Sequence, residues 1–309
     1  MRLKKNIVIY LFFLVVTIIN AQDSKFINLE NETIHYKVFE NTDKLKQTIL
    51  IINGGPGLDS DGLEAVAKKI QTTNTVILYD QRGTGKSKLN ELSKETVNMD
   101  SMLRDIESIR QDLGLDEWII FGHSFGGMLA SYYASEYPDN VKALVLSSSA
   151  GLSIKSLFSV NPSTRLNKVQ QDSLLYWTTK ISSGDTTYQA KYQRGKYLAN
   201  AYLQNKKNIN YIATRLAKVN IIINQLLIQD MILQNFDCSE KLKQFKKPVL
   251  IIHGKDDIIS TDVPKTIHEV LTNSELNLID NCAHYGWLDQ PEAYYKSVLD
   301  FFKAINNQP

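Results

Sequence analysis

Residues 122 to 126 read Gly-His-Ser-Phe-Gly, a G-x-S-x-G pattern set between a strand-like run, Trp118 to Phe121, and a helix-like run, Met128 to Tyr137. In that context the serine occupies a tight strand-to-helix turn. Its hydroxyl stands exposed above the sheet, at a helix N-terminus that favours negative charge. Gly122 and Gly126 remove side chains that would collide as strand and helix approach. The chemistry open to Ser124 is attack on a carbonyl carbon, and a hydroxyl does this only when a base takes its proton. The expected base is a histidine oriented by a carboxylate, and on an elbow of this kind the acid and then the base follow the serine along the chain.

The chain holds five histidines: His35, His123, His253, His268 and His284. His123 adjoins the serine but points the wrong way, His253 ends a strand-like run, and His268 sits in a helix-like run that reads as surface. His284 follows the last strand-like run, in Asn281-Cys282-Ala283-His284-Tyr285-Gly286. It is the residue expected to act as base over Ser124. His253-Gly254-Lys255-Asp256-Asp257 supplies the carboxylate, Asp257 by its distance from the glycine, with Asp256 as the alternative in a turn-capping position. The tetrahedral intermediate needs backbone N–H donors. Phe125, directly after the nucleophile, is one; the other comes from the Gly54-Gly55 loop, Gly55 by preference with Gly54 open. Gly85-Lys86-Ser87 resembles the end of a phosphate-binding loop, but the first glycine of that pattern falls on Asp80 and the match fails. No G-x-G-x-x-G follows a strand and no His/Cys/Asp cluster has metal-ligand spacing, so no cofactor is expected.

These residues need a framework, and the chain is long enough to build one. Its 309 residues are 43% hydrophobic and 22% charged, the balance of a globular protein with a sizeable core. That excludes a disordered, collagen-like or disulfide-scaffold chain. Thirty-five Lys and Arg against 33 Asp and Glu give no global field for nucleic acid or a membrane surface. At the N-terminus Arg2, Lys4 and Lys5 precede an apolar run from Ile7 to Ile19, then Asn20, Ala21 and Gln22. This is the layout of a secretory signal cut after Ala21, too short to span the hydrocarbon core, with a retained membrane anchor as the alternative. The mature protein is therefore expected outside the cytoplasm, with no stable membrane association. Export permits a disulfide between Cys238 and Cys282, and two buried free thiols fit equally well.

From Thr48 onward strand-like and helix-like runs alternate. Strands are expected at Ile34 to Phe39 (an edge or hairpin strand), Thr48 to Ile52, Thr75 to Leu78, Trp118 to Phe121, Val141 to Leu146, Lys247 to Ile252 and Glu275 to Ile279. Helices are expected at Leu63 to Ile70, Met99 to Leu113, Met128 to Tyr137, Asp262 to Leu271 and Pro291 to Ile305. The alternation predicts an α/β fold with a mostly parallel sheet flanked by helices. Gly151 to Phe236 breaks it, with helical spacing, 11 Lys and Arg, 3 Asp and no Glu, a formal +8. The expected organisation is a signal at 1–21, a core at 22–150 and 238–309, and a helical cap inserted at 151–237.

With these residues placed, the chain resembles the α/β-hydrolase superfamily, and within it the proline iminopeptidase-like branch of serine peptidases. Three stretches carry the likeness: Asn53-Gly54-Gly55-Pro56-Gly57, Asp80-Gln81-Arg82-Gly83-Thr84-Gly85-Lys86-Ser87, and Gly122-His123-Ser124-Phe125-Gly126-Gly127. The family reads H-G-G-P-G at the first and D-Q-R-G-x-G-x-S at the second, which is the most specific of the three. Asn53 stands where the family has histidine. The resemblance implies a helical cap over the active site, removal of an N-terminal residue, often proline, from a peptide, and neither metal nor organic cofactor. Family members hold the substrate's amine with glutamates from the cap and beside the catalytic aspartate. Here the cap has no Glu and Ile258 follows Asp257, leaving Asp172, Asp185, Asp230 and Asp256 as available carboxylates. The basic cap suits an anionic substrate, or is simply a solvated helix surface. The function expected is that of an exported serine hydrolase acting on a small peptide or ester: an aminopeptidase first, a carboxylic-ester or lactone hydrolase as the enzymatic alternative, and a non-catalytic binding protein as the alternative outside enzymes. Oligomeric state is left open.

Overall fold

Strand-like runs without polar alternation belong in a sheet covered on both faces, and that is where they lie. The computed structural model describes residues 22–30, 32–43 and 47–307; the signal read at residues 1–21 lies outside them. Nine strands occur among the described residues: β1 (Gln22–Asn28), β2 (Glu32–Phe39), β3 (Thr48–Ile52), β4 (Thr75–Tyr79), β5 (Lys88–Leu89), β6 (Trp118–His123), β7 (Val141–Ser147), β8 (Val249–Gly254) and β9 (Ser274–Ile279). They form one sheet in the order β1-β2-β4-β3-β6-β7-β8-β9, with β5 on β2. The pairs from β4 to β9 are parallel, and β1, β2 and β5 join antiparallel.

The strands' period of two sends alternate residues to opposite faces. In β3, Leu50 and Ile52 pack into one core with Met102, Ile106 and Leu129, from the helices Met99–Asp112 and Phe125–Glu136. Ile49 and Ile51 pack into the other with Val66, Ile70, Val298 and Phe302, from the helices Glu64–Gln71 and Pro291–Asn306. The chain steps from β3 to β4 on one side and returns to β6 on the other. Ligands of open parallel sheets bind beyond the carboxyl ends of the strands at such a reversal, and the loops after β3 and β6 carry Gly54-Gly55 and Ser124.

Between β7 and β8 the chain builds the helices Ile154–Phe158, Lys168–Ser182, Tyr188–Tyr202, Ile209–Ala217 and Ile221–Leu233. It leaves and re-enters the core side by side: Ser153 bridges to Asp237, Ile154 N–H donates to Phe236 O at 2.9 Å, and Cys238 N–H to Leu152 O at 3.0 Å. Among the described residues no single helix is long and apolar enough to cross a membrane.

The structure refines three readings. Of the edge or hairpin position expected for Ile34 to Phe39 it takes the hairpin, with β1 paired antiparallel along its outer side; β1 itself went unread because it is mostly polar and exposed and shows no apolar period. The two-residue β5 also escaped notice. The helix after Ser124 starts at Phe125, three residues earlier than its apolar spacing indicated, because Gly126 packs against the Ile52 backbone and Gly127 against Ser149 rather than displaying side chains.

Candidate active site

Ser124 has φ 57° and ψ −122°, a conformation that costs a non-glycine residue about 1–3 kcal/mol unless its surroundings hold it. They do: Ser124 N–H donates to Ser147 O at 3.0 Å, and Ser124 O accepts from Gly127 N–H at 2.9 Å and Ala150 N–H at 3.0 Å. The glycines make the approach possible. A Cβ on Gly122 would lie 2.2 Å from Gly126 O, and one on Gly126 would lie 2.2 Å from Ile52 O. The N–H groups of Phe125 and Gly126 belong to the first turn of the helix, which cannot satisfy them internally.

The Asn53–Gly57 loop lies directly against the serine: a Cβ on Gly54 would sit 2.6 Å from Ser124 Cβ. Gly55 follows at φ +69°. The loop is tied from both ends. Asn53 is fully buried and donates through Nδ2 to Leu58 O at 2.9 Å, while Gln81 Nε2 donates to Asn53 O at 2.9 Å. Gln81 is held by its own motif. Asp80 accepts from Ser60 N–H, Ser60 Oγ and Lys86 N–H at 2.7–3.0 Å and lies 2.9 Å from His35 Nδ1. Arg82 is buried against Asp105, Glu32 and the carbonyls of Thr96 and Ser101. The D-Q-R-G-x-G-x-S stretch is thus a scaffold for the glycine loop and does not itself face the cavity.

His284 Nδ1 lies 2.9 Å from Asp257 Oδ1 and 3.1 Å from Oδ2. The loops bearing them are zipped together: Lys255 N–H donates to Ile279 O and Asp256 N–H to Cys282 O, each at 2.9 Å, and a Cβ on Gly254 would meet Cys282 O at 2.3 Å. Asp256 turns elsewhere, accepting from Gln204 Nε2 at 3.1 Å. Asp257 is fully buried. Burial alone would raise its pKa, but His284, His253 and the Ile259 N–H outweigh burial and hold the carboxyl well below the ordinary range. His123 and His253 also have lowered pKa values, in their case chiefly through burial, which disfavours the charged imidazolium. His123 faces Ser147 O through Nδ1 at 3.2 Å, leaving Nε2 as a buried acceptor without a partner. His268 is exposed and paired with Ser274 Oγ.

Ser124, His284, His123, Gly54 and Gly55 line one cavity of about 50 Å³, closed by Tyr202, Arg215 and Leu216 from the cap and by Tyr285. The cap grips the histidine loop: Tyr202 O accepts from His284 N–H at 3.1 Å, and Asp289 accepts from Ala283, Gln204 and Asn205 N–H at 2.8–3.0 Å. Sequence reasoning named Gln81 within the D-Q-R-G-x-G-x-S stretch without giving it a role, and it missed Tyr202, Arg215 and Asp289, none of which stands in a pattern that marks it as different from a surface residue. Of the carboxylates left available for an amine, Asp172 pairs with Lys168, Asp185 accepts from Thr187 Oγ1, Asp230 accepts from Met99 N–H, and neither they nor Asp256 lines the cavity. Among the described residues no group of three or more His, Cys, Asp or Glu is placed to hold a metal ion.

A strained serine on the strand-to-helix turn after β6, a hydrogen-bonded Asp257–His284 pair from the loops after the last two strands, and inserted helices bordering the same cavity are the arrangement of an α/β-hydrolase fold. A family model for the alpha/beta hydrolase fold matches residues 47–291, and the chain belongs to that family. It is similar to the proline iminopeptidase of Clostridioides difficile (strain 630), 27% identical over 285 residues that span 88% of this chain and 95% of the relative. Among solved structures it is similar to an alpha/beta fold family hydrolase from Bacillus anthracis str. Sterne, with a TM-score of 0.73 and 17% identity over 90% of this chain and 99% of that one. An esterase from Exiguobacterium antarcticum gives 0.70 and 18% over 91% and 100%. At such identities the structural likeness is one of fold.

Proposed function

We propose that this chain is an exported serine hydrolase acting on small peptides, an aminopeptidase that releases an N-terminal residue such as proline. The observation that carries the acyl-transfer reading is the hydrogen-bonded pair of His284 and Asp257, with the His284 ring lining the same cavity as the strained Ser124. Ser124 Oγ attacks the scissile carbonyl carbon as His284 Nε2 takes its proton. The charge that develops on the carbonyl oxygen is met by the N–H groups of Phe125 and Gly55. Asp257 fixes the imidazole tautomer and stabilises the imidazolium. His284 then protonates the leaving amine, the C–N bond breaks, and water, activated by the same histidine, releases the acid and restores Ser124. Similarity over nearly the whole length to proline iminopeptidases supports the peptidase reading.

Labelling by a fluorophosphonate probe, lost in Ser124→Ala, tests the acyl-transfer chemistry; a folded wild type that stays unlabelled is the result a binding protein on this scaffold would give. Turnover of a proline arylamide is expected. Turnover of short acyl esters without the arylamide would move the assignment to a carboxylic-ester or lactone hydrolase, a second reading favoured by the lack of any carboxylate among the described cavity residues to receive a free amine. Export rests on the basic start, apolar run and small residue of the first 21 positions. N-terminal sequencing of protein from the extracytoplasmic fraction should read from Gln22, and an intact N-terminus in the cytoplasmic fraction would overturn it.

A further inference from the structure

One charged side chain in the catalytic cavity has no task in acyl transfer. Arg215, near the end of the helix Ile209–Ala217, is 5% exposed and lines the cavity that holds Ser124 and His284. Nη1 donates to Tyr285 Oη at 3.3 Å, and the guanidinium lies 5.8 Å from the centre of that ring. Nε and Nη2 are buried with no hydrogen-bond partner, and among the described residues no carboxylate forms an ion pair with this arginine. A buried charge is ordinarily paired, because leaving water uncompensated is costly. The helix is brought close enough for this by Gly62, where a Cβ would lie 2.1 Å from Arg215 Nε.

The surroundings carry the same sign. Leu216 forms one wall of the catalytic cavity and also borders a cap chamber of about 670 Å³ whose lining has no carboxylate and includes Lys191, Arg194 and Lys218, the last paired with Asp59 and Asp61 outside the lining. We propose that Arg215 is a subsite for a carboxylate on the substrate, reached through a cationic antechamber in the cap. This rests on the hydrolase reading above and narrows its substrate class. The cavity shared by the hydroxyl and the guanidinium is only about 50 Å³, so the carboxylate lies within about one residue, ~3.8 Å of chain, of the scissile carbonyl. Two kinds of molecule meet that limit: a dipeptide, whose free C-terminus is on the leaving side, and a half-ester of a short dicarboxylic acid, whose free acid is on the acyl side.

Two matched pairs test this: prolyl-alanine against prolyl-alaninamide, and the p-nitrophenyl half-ester of glutaric acid against p-nitrophenyl pentanoate. The acid member of at least one pair should show a kcat/KM higher by about tenfold or more, the scale of one charge-assisted hydrogen bond, and which pair shows it identifies the side that Arg215 reads. The preference should collapse in Arg215→Gln and survive in part in Arg215→Lys. A purely structural arginine would lower both members of a pair together and leave their ratio unchanged, which would overturn the proposal, as would equal turnover of acid and neutral members by the wild type. Propionate binding, read as a rise in Tm in wild type that is absent in Arg215→Gln and absent with propionamide, reports on the subsite without catalysis. An unlabelled Ser124 together with propionate binding would sink the hydrolase reading alone; a labelled Ser124 with neither propionate binding nor acid preference would sink the subsite alone.

Discussion

Asp257 stays ionised although it is fully buried, because two histidines and the Ile259 N–H stabilise its charge more than burial penalises it. In the proposed acyl transfer its part is a fixed negative charge behind His284 Nδ1. Asp257→Asn removes the charge and donates where it should accept, holding the imidazole in the wrong tautomer, so kcat is expected to fall by about 10³–10⁴-fold, with near-native circular dichroism as the check on folding. The molecule also contains an instructive imitation. Ser24 Oγ lies 2.6 Å from His35 Nε2, and His35 Nδ1 lies 2.9 Å from Asp80. The distances suit a relay, but Ser24 sits in the exposed strand β1, with no strained elbow and no helix N-terminus behind it. Fluorophosphonate should modify Ser124 alone; mass-spectrometric recovery of the label on the Ser24 peptide would show that relay geometry suffices.

At the scale of elements, the site depends on close backbone contacts between the loops after β3 and β6. Gly126→Ala forces a methyl against Ile52 O, a clash with main chain that cannot swing aside, and should destabilise the fold by about 1–3 kcal/mol, read from the denaturant midpoint. Gln81 acts through one hydrogen bond to Asn53 O. Gln81→Leu leaves that buried carbonyl without its donor and loosens the loop that presents Gly55. Because the oxyanion exists only in the transition state, the loss should fall on kcat with KM little changed. Equal kcat in wild type and variant would sever the motif from the site.

Across the whole molecule, buried histidines couple stability to pH. His35, His123 and His253 all have pKa values lowered from 6.5, each with burial as the leading cause. The unfolded chain therefore binds protons that the native state refuses as pH drops through about 6.5. Their contribution is complete above that value and is lost on acidification toward the lowered folded values, by up to about 1.4 kcal/mol per pH unit per group. Tm should be flat near pH 8 and fall steadily from pH 7 to 5, and a profile without that fall would mean the imidazoles are hydrated in the native state.

The residues whose roles are local could be read along the chain. Glycines at Gly54, Gly122 and Gly126 mark contacts too close for a Cβ, unbroken apolar runs mark strands covered on both faces, and the order of Ser124, Asp257 and His284 follows from strand ends returning to one edge. Other features became visible only when the chain closed on itself. Cys238 belongs to the core on one side of the sheet and Cys282 to the core on the other, so both remain free thiols. Arg215 has the sequence environment of any arginine near the end of a surface helix; it is buried because Gly62 and Tyr285 approach from distant segments. Periodicity reports which face of a helix is apolar, whereas the partner that covers it, and the charge trapped between them, are set by packing across the chain.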